Sequence, residues 1–252
     1  MVSRLDPFHA RVAAVALEAT ARQDFALAGG NALAAHGLLD RLTRDIDLFT
    51  PLAGATALAA REVSAALRAA GLTVEVEEPL QPGGEFTSLR VRGSGPAEEV
   101  LLELGRDARA QRPARIVLAG ALSSPVLALE DLVASKVGAM LGRGAARDYL
   151  DVAALMTRDL QRYGQRQLLE AAFGRDPGLP AGDVALAMLR LDRMPDRRFT
   201  AYGLDMASVS RLRASFEGWS RDPGRSPVAV AAHRAARGSP RPTPKGRSAT
   251  TP

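Results

Sequence analysis

The chain has 252 residues, 46% of them hydrophobic and 24% charged, with a formal net charge of +5. That composition excludes a disordered chain and suits one large domain or two small ones. It holds no cysteine, which excludes disulfides, thiolate metal centres and a cysteine nucleophile. No apolar run approaches the roughly 18 residues of a membrane span, and the expected compartment is the cytoplasm.

The elements follow in chain order from periodicity and turn chemistry. Residues 5–22 repeat apolar side chains at helical spacing (Phe8, Val12, Val15, Ala19). Phe25 to Ala28 is a short apolar strand running into Gly29-Gly30, after which Asn31 is expected to cap a helix reaching about His36. Asp45 to Phe49 alternates charged and apolar residues like a half-buried strand. An alanine-rich helix over 55–70 ends at Gly71. Three strands follow at Thr73–Glu77, Phe86–Arg92 and Val100–Leu104, separated by Gly/Pro turns, with a further one at Arg115–Leu118. From Ser123 the pattern is helical: Pro125–Leu141, Ala145–Met156, Gln165–Phe173, Asp183–Leu191 and Ala207–Trp219. The expected organisation is an α/β domain over 1–120, a helical domain over 121–220, and a basic, disordered tail over 221–252 with a short helix at Val228–Arg237.

Charge is distributed unevenly over these parts. Residues 1–103 carry net −5, residues 104–220 net +4 and residues 221–252 net +6. The high pI is thus mostly a property of the tail and not by itself a sign of nucleic-acid binding. Lysine occurs only at Lys136 and Lys245, which sets Lys136 apart in an arginine-rich chain.

The chemistry is concentrated in FALAGGNALAAHGLLDRLTRDIDLF, residues 25–49. Glycines between a strand and a helix let backbone N–H groups approach a phosphate closely. Asp45 and Asp47, one residue apart on a strand, point both carboxylates to one face. Two like charges held together call for a cation, and hard oxygen donors suit Mg²⁺.

This run resembles the nucleotidyltransferase superfamily of DNA polymerase β, and more narrowly the AbiEii/AbiGii and MenT-type nucleotidyltransferase toxins. Their signature is a Gly-Gly or Gly-Ser turn, a helix, and Arg-x-(Ser/Thr)-x-Asp-Ile-Asp-(Leu/Phe)-Phe. Arg41, Thr43, Asp45, Ile46, Asp47, Leu48 and Phe49 stand at its places. A second block, residues 123–155, supplies the helix lysine and the later Arg-Asp-x-x-Asp segment through Lys136, Arg143, Arg147, Asp148 and Asp151. The resemblance covers about residues 20–155.

It implies an α+β fold, a polymerase-β-like nucleotidyltransferase domain of mixed sheet and helices followed by a helical C-terminal domain. It implies transfer of NMP from an NTP to an RNA acceptor, a tRNA 3′ end, dependent on Mg²⁺ with Mn²⁺ as the alternative. The protein would be the toxin of a toxin–antitoxin pair, with a cognate antitoxin as partner and no membrane association. Asp45 and Asp47 would be metal ligands, with Glu103 on a neighbouring strand as a third. Gly29, Gly30, Asn31, Thr43 and Arg44 would bind the nucleotide, and Lys136 would meet its β/γ-phosphates. Asp148 or Asp151 would complete the metal site, orient Lys136 or act as general base. Phosphorylation of Thr43 would put negative charge beside the Asp pair and block NTP binding. The competing readings keep the site and change the acceptor: an aminoglycoside or lincosamide hydroxyl, or a protein hydroxyl in AMPylation or UMPylation. A degenerate transferase fold used as a binding module is opposed by the intact Asp45, Asp47 and Lys136.

Two arginine series are the places for RNA phosphate contacts: Arg106, Arg109, Arg112 and Arg115 at every third residue, and Arg158, Arg162 and Arg166 at every fourth. His9, His36 and His233 show no ligand spacing.

Overall fold

The computed structural model describes residues 5–39, 43–118, 123–157, 163–180 and 182–222. Arg41, Arg158, Arg162, and residues 223–252 of the tail with its expected helix at Val228–Arg237 lie outside the described residues. Among the described residues, seven strands form one mixed sheet in the order β3-β4-β5-β2-β1-β7-β6. They are β1 (Ala26–Leu27), β2 (Asp45–Thr50), β3 (Thr73–Glu78), β4 (Phe86–Arg92), β5 (Glu99–Arg106), β6 (Ala114–Val117) and β7 (Ser123–Val126). β2 runs parallel to β5, and β1 parallel to β7, while the other neighbours are antiparallel.

The helices are α1 (Pro7–Ala19), α2 (Gly29–Ala35), α3 (Ala55–Ala69), α4 (Leu129–Gly142), α5 (Ala146–Thr157), α6 (Gln165–Arg175), α7 (Asp183–Arg193), α8 (Arg197–Thr200) and α9 (Met206–Ser215). Local chemistry sets several starts. The Asp6 carboxylate accepts from the N–H groups of Phe8 and His9 at 2.9 and 3.2 Å, and Pro7 occupies the first turn of α1, the place where its missing N–H costs nothing. The Asp205 carboxylate does the same for α9 through Ser208 N–H at 2.7 Å.

Alternation in the central strands decides which side becomes core. Ile46 and Leu48 on β2, with Leu102 and Leu104 on β5, are fully buried. Asp45, Asp47 and Glu103 therefore face the opposite side. Helices α1 and α3 pack together and against the sheet. Helix α4 is the hub of the second half and packs against α2, α5, α6 and α7. One cluster of buried apolar residues extends from Leu5 to Trp219. Among the described residues, no helix is long and apolar enough to cross a membrane.

Two expectations are corrected. Ser123–Val126, read as the approach to a helix, is strand β7, paired to both β1 and β6, so the helix begins at Leu129 instead of Pro125. Partners from remote parts of the chain, not local propensity, make this segment extended, and Pro125 is tolerated beside Arg115 in the antiparallel ladder. The second correction concerns Asn31. Helix α2 starts at Gly29 after Ala28, and Asn31 lies inside it, fully buried. Its side chain caps nothing. Nδ2 donates to the Asp45 carbonyl at 2.7 Å, and Oδ1 accepts from the Thr43 hydroxyl at 2.6 Å.

Candidate active site

The sheet supplies an acidic wall. In the parallel β2–β5 ladder Asp47 stands level with Glu103, and neighbouring strands run about 4.8 Å apart. Glu103 is hydrogen-bonded to Asp47, and its carboxyl is pushed up to about 7, first by burial and then by the charges of Asp47 and Asp45, with Arg147 opposing. Three acids thus share one patch, and burial together with the neighbouring carboxylates favours the neutral form of Glu103. Asn31 fixes the chain at this point through the Asp45 carbonyl. It also holds Thr43, whose hydroxyl lies 3.4 Å from His9 Nδ1. Burial lowers the His9 pKa, against smaller raising effects that include the Asp6 charge.

Gly29 explains why the strand-to-helix turn is built from glycine. Its φ is +61°, and a Cβ there would stand 1.6 Å from Asp47 Oδ2. The backbone at Gly29 occupies ground that any other residue would take from the carboxylate. Gly30 joins it in lining the cleft.

The opposite wall is cationic and comes from α4, α5 and the turn between them. Lys136, 9% exposed, pairs with Asp151 at 2.8 Å between Nζ and Oδ2. Arg143 is held in a fork by Asp148, with Nε–Oδ2 at 3.0 Å and Nη2–Oδ1 at 2.8 Å. Asp148 accepts a third bond from Ala145 N–H at 2.9 Å. This fork, ahead of opposing burial, raises the Arg143 pKa. Arg147 reaches across to the sheet, 3.3 Å from Asp45 Oδ2. The Arg44 guanidinium lies over the Tyr202 ring at 5.8 Å.

These groups surround a cavity of about 190 Å³. Its lining brings together Gly29, Gly30, Thr43, Arg44, Asp45, Asp47, Glu103 and Lys136 from the sequence-derived set. Asn31, Asp148 and Asp151 are not in the lining. All three are fully buried, Asn31 under the acidic wall and the two aspartates behind the cations. Six lining residues had not been singled out as site residues: Phe49, Arg143 and Arg147, which stood in the two motif blocks without a role, and Ser135, Ala139 and Tyr202. Arg143 and Arg147 sit between Lys136 and Asp148, and an arginine pair at helical spacing beside a lysine was the available signal. Tyr202 gave none, because it arrives from the far end of the chain.

The acidic wall fits a divalent cation by donor chemistry. It offers two half-exposed carboxylates and a third, Glu103, whose pKa is raised first by burial and then by their charges. Among the described residues no three His, Cys, Asp or Glu side chains form a ready-made cage. Mg²⁺ needs none, since one or two carboxylates with water and substrate phosphates commonly complete its shell. Acids on one side and Lys136, Arg143 and Arg147 on the other suit a polyphosphate.

Comparison with known proteins agrees with this geometry. The family model described as "Nucleotidyl transferase AbiEii toxin, Type IV TA system" matches residues 12–224. Among solved structures, MenT4, a nucleotidyltransferase toxin of Mycobacterium tuberculosis H37Rv, superposes with a TM-score of 0.57 at 18% identity, over 91% of this chain and 90% of that one. JHP933 from Helicobacter pylori superposes with a TM-score of 0.52 at 14% identity, over 91% of this chain and 99% of that one. At such identities the likeness is one of fold. No curated protein matches the chain in sequence. The family match spans most of the chain, and with the site's composition it places this protein in the AbiEii nucleotidyltransferase toxin family.

Proposed function

We propose that the protein transfers a nucleoside monophosphate from an NTP to a hydroxyl of an RNA acceptor, the 3′ end of a tRNA, releasing pyrophosphate and arresting growth until a cognate antitoxin intervenes. The observation that carries this reading is the apposition of Asp45, Asp47 and Glu103 to Lys136, Arg143 and Arg147 across one small cleft. In the reaction the acceptor oxygen forms a bond to the α-phosphorus while the bond from that phosphorus to the bridging oxygen breaks. The hydroxyl proton is lost, and the electron pair leaves with pyrophosphate.

Asp45 and Asp47 would hold the divalent cation, Mg²⁺ or Mn²⁺, which when bound neutralises charge on the attacking and leaving oxygens. Glu103 would adjust the charge of that wall, since burial and its acidic neighbours raise its pKa to about 7. The Gly29-Gly30 backbone leaves room for phosphate oxygens beside Asp47. Lys136 acts as a point charge on the leaving β- and γ-phosphates, and Arg143, its Nε–Nη2 edge held by Asp148, turns its remaining N–H donors to the same groups. Arg44 and Tyr202 offer a flat cationic and aromatic edge to a base. Asp151 and Asp148 are positioning residues that fix Lys136 and Arg143, because neither lines the cleft.

The test offers each labelled NTP with Mg²⁺ to total tRNA, an aminoglycoside panel and lysate protein in turn. Label on tRNA that disappears with Asp47→Ala supports the reading. Label confined to drug or protein overturns it.

A further inference from the structure

A second cleft, of about 610 Å³, opens beside β6. Leu17 and Phe25 give it an apolar floor, and Asp24, Arg109, Arg112 and Arg115 supply its charges. This arginine series runs from the end of β5 (Arg106) through a loop (Arg109 and Arg112) into β6 (Arg115), and its members have separate fates. Arg106 is spent on Glu85 at 2.9 Å. The Arg109 side chain is 7% exposed, with Nη2 paired to Asp24. Its Nη1 is buried and has no hydrogen-bond partner among the described residues. Arg112 and Arg115 are exposed at the rim.

A guanidinium group with one satisfied and one unsatisfied arm, lining an open cleft, is an incomplete anion site. Three arginines face a single carboxylate there, so positive charge is in excess. Asp24, the residue that orients Arg109, has φ +53°, a conformation Asp adopts more readily than most.

The loop is also fixed relative to the first cleft. The buried Asp131 carboxylate, in the first turn of α4, accepts from the N–H groups of Ala110 and Gln111 at 2.8 and 3.0 Å. Arg175 ties the Asp131 carbonyl to the Asp107 carboxylate. Helix α4 carries Lys136, so the arginine loop and the cationic wall ride on one element. Pro51, which lines the second cleft, lies four residues along the chain from Asp47, about 13 Å at strand rise. That distance is roughly four steps of a stacked nucleic-acid strand at 3.4 Å each.

We propose that this cleft binds a backbone phosphodiester of the RNA acceptor, with Arg109 as the buried ligand and Arg112 and Arg115 as its rim, a few nucleotides from the reacting end. The inference rests on the RNA-acceptor reading of the first cleft. Phosphate is the shared chemistry of two sources, an RNA strand and a free polyphosphate, and the subsite belongs to the strand.

The full-length protein is titrated with a fluorescent RNA stem bearing a single-stranded 3′ end, in EDTA and without NTP. Arg112→Ala with Arg115→Ala, a surface pair, is expected to weaken binding at least tenfold near 0.1 M salt. It is expected to lower the slope of log K against log salt by about 1.5, at roughly 0.7 to 0.9 per lost phosphate contact. NTP affinity and the rate at saturating RNA stay as in the parent, so KM for RNA rises while kcat does not. Arg109→Lys keeps the charge, loses the fork and weakens binding by a smaller factor. Unchanged RNA affinity and salt slope in the double variant overturn the inference. Inorganic pyrophosphate binding that is lost in the double variant, with RNA binding intact, overturns it in favour of a free-polyphosphate site. The two readings fail separately. Labelled RNA with an indifferent double variant removes only the second cleft. Arginine-dependent RNA binding by a parent that never labels RNA removes the acceptor reading and leaves an RNA-binding cleft.

Discussion

The acids of the sheet and the acids of the helical half receive opposite treatment. Asp45, Asp47 and Glu103 stand together on one half-buried face, with a hydrogen bond between two of them and, among the described residues, Arg147 at 3.3 Å from Asp45 reaching over from the other wall. Asp148 and Asp151 are fully buried, and each has a cation at 2.8 Å. The first group is a concentration of charge left for something else to neutralise. The second is complete in itself, and its product is the position of Lys136 and Arg143. Like residues thus divide into binders and holders according to what surrounds them, and mutations should separate the two.

The largest effect is expected at Asp47. Asp47→Asn should lower kcat/KM for nucleotidyl transfer about 10³-fold or more, about 4 kcal/mol in the barrier, while the melting temperature holds or rises because a repelling charge is gone. Transfer assays and calorimetry on the same sample check both, and a large fall in melting temperature would erase the distinction between the groups. Lys136→Ala should do the reverse in kind. Removing the cation from buried Asp151 is expected to cost about 3 kcal/mol of folding stability, read by urea unfolding, in addition to the lost activity. The paired change Lys136→Met with Asp151→Leu should restore much of that stability and none of the activity.

Gly29→Ala tests the contact between the turn and the acidic wall. The Cβ would displace the Asp47 carboxylate and force φ +61° on alanine, so transfer should drop about 100-fold, about 2.7 kcal/mol, in a protein that still folds. The smallest effect belongs to Tyr149, beside Asp148 and remote from the acidic wall. Its hydroxyl donates to the Ala187 carbonyl at 2.7 Å, and burial raises its pKa to about 12. The fold favours the neutral phenol, so this contribution is complete below pH 10 and is lost as pH rises from 10 towards 12. Tyr149→Phe should cost about 1 kcal/mol near neutral pH and remove that alkaline slope, with transfer unchanged. Urea midpoints between pH 8 and pH 11 measure it.

What was legible from sequence follows the range of the interactions involved. Alternation in Asp45–Phe49 is a local property, and it correctly placed both aspartates on the face away from Ile46 and Leu48. The glycine turn and Lys136 were equally local, and all line one cleft. Strand β7 was missed because Ser123–Val126 becomes extended only through β1 and β6. Asn31 has the chemistry of a cap, yet it is needed 14 residues away at the Asp45 carbonyl. Spacing put Asp148 and Asp151 on one helix face, but burial separates them from the cleft and only packing reveals burial. Arg109 read as one member of an exposed series, and Asp24, far back in the chain, is what draws it inward.

Lys136 also has a practical consequence. The chain holds two lysines, and the other, Lys245, lies beyond the described residues. A reagent that methylates amines with carbon-13 would yield an NMR spectrum of a few lines, one of them from the ammonium clasped by Asp151 in the wall of the cleft. The protein therefore carries its own reporter at the cleft. The line shape of that amine would register nucleotide arrival, metal arrival and antitoxin docking without any substitution in the chain.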